Sequence, residues 1–595
     1  MNAETAERTP KPECDLVMKG GITSGVVYPG AIRKIAGRYR FRNLGGASAG
    51  AIAAVAAAAC EYRRNQGVDD AYDVLGEVST EISAPGFVLG LFQPRPKARP
   101  AFDVALGLVT SSGSLNRRLP AGLVSILGAR RRFLLGATVA VLLWAAVVAL
   151  AIWALAGGGL GTLEAVAVVL VALVTLPIAA LLVAAISVIA LTRFAGELDR
   201  ALKETWFGMC SGRTEGGHEQ SGLTDWLHST IQKCAGLPED RPLTFRDLRG
   251  DDPNDPQVNL QLITTDLSAS RPATLPLPEW AEEEPTPYLF DPAEFGRLFP
   301  EAVVDHMVEA SRAGARAAPD GRTLYPVPGF DLPIVVAARL SLSFPILLAT
   351  VPFWRADGPD GAFAQHTMSD GGISSNFPIH YFDSLFPGRP TFGLDLQPWR
   401  VPTDKPVEMS NAPRRPGFSE VRNVGTFMTQ ILNAARNWRD NMQAELPGYR
   451  DRICQIRLSA KEGGLNLNMP ADVVEALLQR GDEAGDLVTD SGAFDWDSHR
   501  VVRFWTLMQM LQQSLGPRGF GRPGVYSGEH PGRIPFKTVV EQWRTSGESP
   551  EPPSVDWWGT AIPASDAVFE LAAEWADFEA DAPKPTPTLR ILPRV

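Results

Sequence analysis

Two long runs without a charged residue constrain the fold of this chain more than any other feature. Residues 134–156 and 165–192 contain no Asp, Glu, Lys or Arg. At about 1.5 Å per residue in a helix, each run could cross the roughly 30 Å hydrocarbon core of a membrane. A Gly-rich turn at 157–161 separates them, and Pro177 is expected to kink the second helix. The pattern predicts a transmembrane helical hairpin over residues 130–193.

Basic residues flank this hairpin and predict its orientation. Arginines at 117–118 and 130–132 precede the first run, Arg193 follows the second, and the turn contains no basic residue. The positive-inside rule then places both ends of the hairpin in the cytoplasm. We expect a two-span protein of the inner membrane, with both termini and the folded domain cytoplasmic. A hairpin buried in a soluble core or an oligomer remains an alternative, whereas a channel is disfavoured because the runs lack a polar stripe.

The composition excludes several other classes of protein. The chain has 595 residues, with 67 acidic and 56 basic side chains and a formal charge of −11, which argues against a nucleic-acid-binding role. Five scattered cysteines without a CxxC pair exclude a disulfide framework and a cysteine-rich zinc site. Seven histidines include no HExxH motif, so we predict no metal site and no cofactor.

Short apolar strands alternate with helical patterns on both sides of the hairpin. This alternation over residues 15–62, and again over 258–264, 334–341 and 391–396, is typical of an α/β fold with a mostly parallel sheet. The hairpin is therefore predicted to be inserted into one domain. The predicted segments are a polar tail (1–14), the first part of the α/β domain (15–129), the hairpin (130–193), the second part (194–400), a mainly helical C-terminal region (401–580) and a Pro-rich tail (581–595).

A G-x-S-x-G motif at residues 46–50 is the sharpest chemical signal. A predicted strand precedes it and an Ala-rich helix follows, so small neighbours let the chain turn sharply and present the Ser48 hydroxyl at a helix N-terminus. The helix dipole and the free amides there favour a developing negative charge. A packing turn that merely requires small residues is the alternative.

Two further motifs complete the pattern. Residues 20–25 read Gly-Gly-Ile-Thr-Ser-Gly after a strand, and their uncovered amides could stabilise an oxyanion. A phosphate-binding loop is the alternative there, although no Gly-Lys-Ser/Thr follows. Asp370, followed by Gly371 and Gly372, lies on a predicted tight turn, where a partly desolvated carboxylate could accept the serine proton directly.

Together and in this order, the three motifs resemble the patatin-like phospholipase family. The resemblance covers roughly residues 14–110 and 258–400, and includes 263–267 (ITTDL), 338–345 (ARLSLSFP) and the Asn376-x-Pro378 pattern. It implies a three-layer α/β/α fold with a mostly parallel central sheet, to which the hairpin and the helical C-terminal region would be added. Two departures lie in the oxyanion loop, where the family's third glycine is Ile22 and its usual basic residue is Ser24.

The resemblance also implies roles for individual residues. Ser48 would be the nucleophile and Asp370 its base, without a histidine. The predicted oxyanion-hole residues are Gly20, Gly21 and Ala49, and the predicted motif glycines are Gly25, Gly46, Gly50, Gly371 and Gly372.

The implied function is a membrane-associated lipid acyl hydrolase of the phospholipase A or lysophospholipase type, acting through an acyl-serine intermediate. Its expected partners are membrane phospholipid and, through residues 134–192, the bilayer itself; nucleic acid is not expected and a homo-oligomer is left open. The alternatives are a serine esterase on small soluble esters or thioesters, and a catalytically silent lipid-binding scaffold.

Overall fold

The structure is a computed structural model, and it describes most of the chain outside the predicted hairpin. The described ranges are 11–103, 202–515, 535–546 and 555–574, with gaps at 22, 100, 253–254, 278–285, 385, 400–403, 410–419, 423, 460–461 and 464–465, and a few isolated residues between 144 and 200.

Fourteen strands are found in the described part of the chain. They are β1 (Glu13–Met18), β2 (Arg40–Gly46), β3 (Gly208–Cys210), β4 (Asn259–Asp266), β5 (Arg271–Leu275), β6 (Leu289–Phe290), β7 (Arg316–Ala317), β8 (Thr323–Pro326), β9 (Ile346–Leu348), β10 (Val351–Arg355), β11 (Ala364–Ser369), β12 (Thr391–Pro398), β13 (Val407–Met409) and β14 (Ile453–Leu458). Twelve of these form one sheet in the order β13-β14-β12-β1-β2-β4-β11-β10-β6-β8-β7, with β5 paired to β4, while β3 and β9 form a separate pair.

The described helices fall into two groups, before and after residue 400. The first group is α1 (Tyr28–Arg38), α2 (Ala49–Asn65), α3 (Val74–Ser83), α4 (Phe87–Gly90), α5 (Leu223–Ala235), α6 (Phe245–Arg249), α7 (Pro292–Phe295), α8 (Glu301–Ser311) and α9 (Ile334–Ser341). The second group is α10 (Val424–Ala444), α11 (Ala471–Thr489), α12 (Trp496–Leu515), α13 (Phe536–Ser546) and α14 (Val555–Glu574).

The sheet is mixed, so the prediction of a mostly parallel sheet is wrong. Among the strands that the structure describes, four pairings in this sheet are parallel and seven are antiparallel. The parallel pairings join β14, β12, β1, β2 and β4, whereas the remaining strands add antiparallel neighbours. The antiparallel half forms because short connections, such as the one between β10 and β11, can only reverse the chain direction.

The predicted transmembrane hairpin is also corrected. Its two spans, 134–156 and 165–192, lie almost entirely outside the described residues. Within the part of the chain that the structure describes, every helix is too short or too polar to cross a bilayer. The inserted hairpin and the two-span inner-membrane location with cytoplasmic termini are therefore not supported by the residues that the structure describes.

The C-terminal region contributes more than helices to the fold. Its strands β13 and β14 extend the main sheet beyond β12, and its helix α11 packs on α1. Two glycines on one face of α11 permit this contact. A methyl group at Gly481 would overlap the Val27 carbonyl oxygen, and one at Gly485 would lie 2.9 Å from the Ala31 carbonyl oxygen. The helix backbones therefore meet without intervening side chains.

This close packing predicts that Gly481→Ala destabilises the protein. The added methyl group meets rigid backbone, so we expect a loss of about 1–3 kcal/mol in the free energy of unfolding, measured by thermal or denaturant melting. Gly37→Ala in α1 is the matched control, because a methyl group there meets nothing within 4 Å and alanine favours a helix by about 1 kcal/mol. Equal melting of both variants would contradict the packing of α11 on α1.

Candidate functional site

The turn between β2 and α2 places Ser48 in a strained backbone conformation. Its φ is 53° and its ψ is −127°, a backbone conformation that residues other than glycine rarely adopt. The chain is crowded on both sides of this turn. A methyl group at Gly46 would overlap the Gly50 carbonyl oxygen, and one at Gly50 would overlap the carbonyl oxygen of Met18 in β1. The small residues of the G-x-S-x-G motif are therefore required by packing against β1.

Asp370 lies beside Ser48 at the end of β11. Both residues are buried, with 1% of each exposed. In the described part of the chain, Ser48 Oγ and Asp370 Oδ2 have no well-aligned hydrogen-bond partner, yet the hydroxyl is near enough to lower the pKa of the carboxyl. Such loose pairs are common in enzymes without substrate and tighten when substrate binds. The structure thus brings together the two residues predicted as nucleophile and base.

The pKa of Asp370 suits a proton acceptor near neutral pH. Burial raises this pKa from 3.8 to about 6, and it does so against the opposing effects of the Ser48 hydroxyl, the Arg436 guanidinium and the Gly372 amide. The Gly372 N–H donates to Asp370 Oδ1 at 2.7 Å, which leaves Oδ2 for the serine side. A carboxylate with a raised pKa is a stronger base than an exposed one.

The end of α9 and the turn that follows it support both Ser48 and Asp370. The backbone N–H of Ser48 donates to Ser341 Oγ at 3.1 Å, and the backbone N–H of Asp370 donates to the Ser343 carbonyl at 3.0 Å. Arg339 is fully buried and donates to Ser343 Oγ at 2.6 Å, which anchors the turn. Thr265 at the end of β4 donates to the Asp370 carbonyl at 2.9 Å. Segments 263–267 and 338–345 therefore both hold the backbone around the pair.

The predicted oxyanion loop matches its expected role only in part. A methyl group at Gly20 would lie 3.0 Å from Ser48 Cβ, and one at Gly25 would lie 3.0 Å from Ala49 Cβ, so the loop packs on the serine turn. The Gly20 N–H, however, donates to the Asn376 carbonyl at 2.9 Å. The predicted use of this amide as an oxyanion donor does not hold in this conformation, because the amide is already engaged.

Two other predicted donors are free. The backbone N–H groups of Gly21 and Ala49 donate to no residue that the structure describes. Ala49 is the first residue of α2, where a backbone N–H has no partner within the helix. These two amides are the available candidates for an oxyanion hole. Ile22, one of the two departures from the family pattern, lies outside the described residues.

Gly371 and Gly372, which follow Asp370, are closely surrounded by neighbouring atoms. A methyl group at Gly371 would overlap the Ile263 carbonyl oxygen, and one at Gly372 would lie 2.7 Å from both Asp370 Oδ1 and Arg436 Nη2. Both positions of the Asp-Gly-Gly motif therefore exclude a side chain, and Gly372 brings Arg436 close to Asp370.

Sequence reasoning missed two residues at this site, Arg436 and Asp440 of α10. Arg436 donates to the Gly372 carbonyl at 2.6 Å and to Asn376 Oδ1 at 2.8 Å. Asp440 accepts from the backbone N–H of Asn376 at 2.6 Å and that of Phe377 at 2.9 Å. Their spacing of four residues places both on one face of a helix, but nothing in the sequence says what that face contacts.

No histidine completes a triad among the described residues. The structure shows no hydrogen bond between any described histidine and either Ser48 or Asp370. Of the histidines that follow Asp370 in the sequence, His499 pairs with Asp451, His380 is buried with a pKa lowered to about 4 by burial, and His530 lies outside the described residues. Within the same described ranges, no three or more His, Cys, Asp or Glu side chains are grouped to hold a metal ion.

Comparison with known proteins identifies a relative along most of the chain. The chain is 34% identical over 580 residues to the RpoH suppressor of Rhizobium meliloti (strain 1021), which covers 85% of this chain and 86% of that protein. The chain belongs to the RpoH suppressor family. No protein-family model matches it. The family name specifies neither a reaction nor a substrate, so the chemistry of this RpoH suppressor family member is inferred from its site.

The buried carboxyl predicts that Asp370→Asn stabilises this RpoH suppressor family member at neutral pH. The folded-state pKa of Asp370 is raised, so its contribution to stability is complete below about pH 3.8 and is lost as the pH rises through about 6. A rise of this size corresponds to about 3 kcal/mol. We expect the variant to melt at a higher temperature than wild type at pH 8, with the difference vanishing near pH 4. A lower melting temperature at pH 8 would contradict the desolvation of Asp370.

Proposed function

We propose that this protein is a serine hydrolase that cleaves carboxylic esters of apolar acyl chains through a Ser48–Asp370 dyad. One observation carries the proposal: a serine held in a strained turn has an unpartnered buried hydroxyl next to a buried carboxyl with a pKa of about 6. Strained serines of this kind are kept where the surrounding structure requires them for function. The resemblance to patatin-like phospholipases remains a prediction and agrees with this chemistry.

The mechanism follows from the positions of the groups. Asp370 Oδ2 accepts the proton of Ser48 as Oγ attacks the ester carbonyl carbon. The carbonyl oxygen becomes an oxyanion, and in this proposal the amides of Gly21 and Ala49 stabilise it. Asp370 then protonates the leaving alcohol, and an acyl-Ser48 remains. Water attacks this acyl group and gives its proton to Asp370, and the carboxylic acid is released as Ser48 regains a proton.

A groove with several apolar side chains, lined in part by the residue that precedes Asp370, supports an acyl-chain substrate. The groove has a volume of about 300 Å³ and runs past Ser369, the residue before Asp370. Three of its side chains are apolar and strongly exposed: Phe207 (51%), Leu267 (45%) and Ile346 (59%). Phe207 and Ile346 both have a positive φ, 61° and 71°. Exposed apolar side chains held in strained backbone are more typical of a binding surface than of a packing defect.

A catalytically silent lipid-binding scaffold is the second candidate. The burial of the dyad favours it, since Ser48 and Asp370 are each only 1% exposed and a substrate must first displace the residues that cover them. Turnover distinguishes the candidates, because a scaffold would bind acyl chains through the same groove without hydrolysing them.

The dyad predicts that Ser48→Ala and Asp370→Asn both abolish hydrolysis and covalent labelling by a fluorophosphonate probe, with the wild-type adduct mapped to Ser48 by mass spectrometry. Activity depends on ionised Asp370, so the wild-type rate should rise with pH through an apparent pKa of about 6. Ser83→Ala, in a distant helix, is the control and should label as wild type. Labelling of Ser48→Ala at the wild-type rate would sink the proposal, and wild type without labelling or turnover would favour the scaffold.

The groove predicts a dependence on acyl-chain length. Asn tolerates a positive φ better than most residues, so Ile346→Asn removes apolar surface without adding backbone strain. We expect the ratio of kcat/KM for a decanoyl ester to kcat/KM for the acetyl ester to fall about tenfold. This is the discrimination that one apolar contact typically provides. Phe386→Asn is the matched control, because Phe386 is also exposed (64%) but does not line the groove. An unchanged decanoyl-to-acetyl ratio would instead favour small soluble esters.

A further inference from the structure

We propose that Arg436 and Asp440 of α10 are positioning residues, which hold the loop of Asp370 and, through Asn376, fix the Gly20–Gly21 loop beside Ser48. The inference rests on the proposed hydrolase function. It assigns a role to a part of the chain that the resemblance to patatin-like phospholipases does not cover.

Arg436 joins two points of the segment that follows Asp370. Its Nε donates to the Gly372 carbonyl at 2.6 Å and its Nη2 donates to Asn376 Oδ1 at 2.8 Å. The guanidinium also lies near the base, since a methyl group on Gly372 would be 2.7 Å from both Arg436 Nη2 and Asp370 Oδ1. A rigid planar donor that bridges two acceptors fixes their separation in a way that a single ammonium group cannot.

Asp440 holds the far end of the same segment. One turn along α10 from Arg436, it is 4% exposed and accepts the Ser375 hydroxyl at 3.0 Å in addition to the amides of Asn376 and Phe377. Three donors to one buried carboxylate make a strong anchor, and removal of the charge would leave buried N–H groups unpaired. Arg436 and Asp440 therefore hold residues 372–377 from one helix face.

Asn376 carries this support to the nucleophile. Its carbonyl accepts from the Gly20 N–H at 2.9 Å, and its Nδ2 donates to the Gly20 carbonyl at 3.2 Å. Gly20 in turn packs against Ser48, where an added methyl group would lie 3.0 Å from Ser48 Cβ. Because Gly20 is held on both sides, the position of the adjacent Gly21 amide depends on α10. The engaged Gly20 amide, which cannot serve as an oxyanion donor, is thus explained as part of this support.

A merely structural role for Arg436 would leave the titration of the base unchanged. The groups that act on the Asp370 carboxyl are the Ser48 hydroxyl, the Arg436 guanidinium and the Gly372 amide. Of the other charged groups nearby, Lys19 pairs with Asp395 at 2.8 Å, Asp440 is held by its three donors, and Arg439 acts on His380. Loss of the charge at position 436 should therefore raise the pKa of Asp370, and the acid limb of the rate profile reports this change.

The test measures the rate of fluorophosphonate labelling at Ser48 as a function of pH in the full-length chain. For Arg436→Gln we expect labelling at pH 7 to slow about tenfold and the acid limb to move up by about one pH unit, as removal of a neighbouring opposite charge does. For Arg436→Lys we expect slower labelling with the acid limb in place, because the charge remains but the bridge is lost. Arg439→Gln, an exposed position on the same helix, is the control and should match wild type.

Each outcome decides the proposal. An acid limb that stays in place in folded Arg436→Gln, at a wild-type or a reduced labelling rate, overturns the positioning role and leaves the hydrolase function standing. Absence of labelling in wild type overturns the hydrolase function and the positioning role with it. If Arg436→Gln does not fold, judged by circular dichroism, Arg436→Lys decides: a wild-type labelling rate overturns the proposal, and a reduced rate at an unchanged acid limb supports it.

Discussion

The close approach of three backbone segments around Ser48 is the constraint on which the rest of the site depends. β1, the end of β2 and the start of α2 meet so tightly that neither Gly46 nor Gly50 can carry a side chain. Because the chain must turn sharply between β2 and α2, Ser48 takes a φ of 53°. The Ala49 amide at the helix start, adjacent in sequence to Ser48, has no acceptor among the residues that the structure describes. Steric exclusion therefore brings the proposed nucleophile and a backbone hydrogen-bond donor together.

Asp370, the proposed base, is kept in the folded protein at a cost in folding stability. Asp370 is buried, and the polar groups around it offset only part of the desolvation that raises its pKa. A fold does not keep such a carboxyl without compensation elsewhere, and here the compensation is rigid backbone support. The Ser341 hydroxyl at the end of α9 and the Ser343 carbonyl just after it hold Ser48 and Asp370 from one side, and Thr265 of β4 holds the Asp370 carbonyl. The support is directed at main-chain atoms, which leaves Ser48 Oγ and Asp370 Oδ2 free for chemistry.

The parts of the site that could be predicted from the sequence are those set by local chain geometry. Glycines around Ser48 and after Asp370 specify tight turns, and strands and helices next to them follow from short-range patterns. The direction of the strands could not be predicted in this way, because an alternating strand such as β4 reads the same in a parallel or an antiparallel pair. The expectation of a mostly parallel sheet came from residues 15–62, 258–264, 334–341 and 391–396, whereas the strands of the main sheet between 271 and 369 pair antiparallel. The membrane spans were predicted from uncharged runs that lie almost entirely outside the described residues, and the described helices include none that could cross a bilayer.

Long-range contacts explain why the C-terminal region was not recognised as part of the site. Arg436 and Asp440 are separated from Asp370 by 66 and 70 residues of chain, and no motif marks them. Their role arises only when α10 reaches the segment after β11, while β14 and α11 attach the same region to the sheet and to α1. The candidate site therefore contains residues from 20 to 440. Asn376 links its two parts, because it contacts Gly20 beside Ser48 and Arg436 of α10. In the proposed mechanism, the nucleophile and base of the first 370 residues depend on the following 70 for their alignment, which would make the C-terminal region part of the functional unit rather than an appended domain.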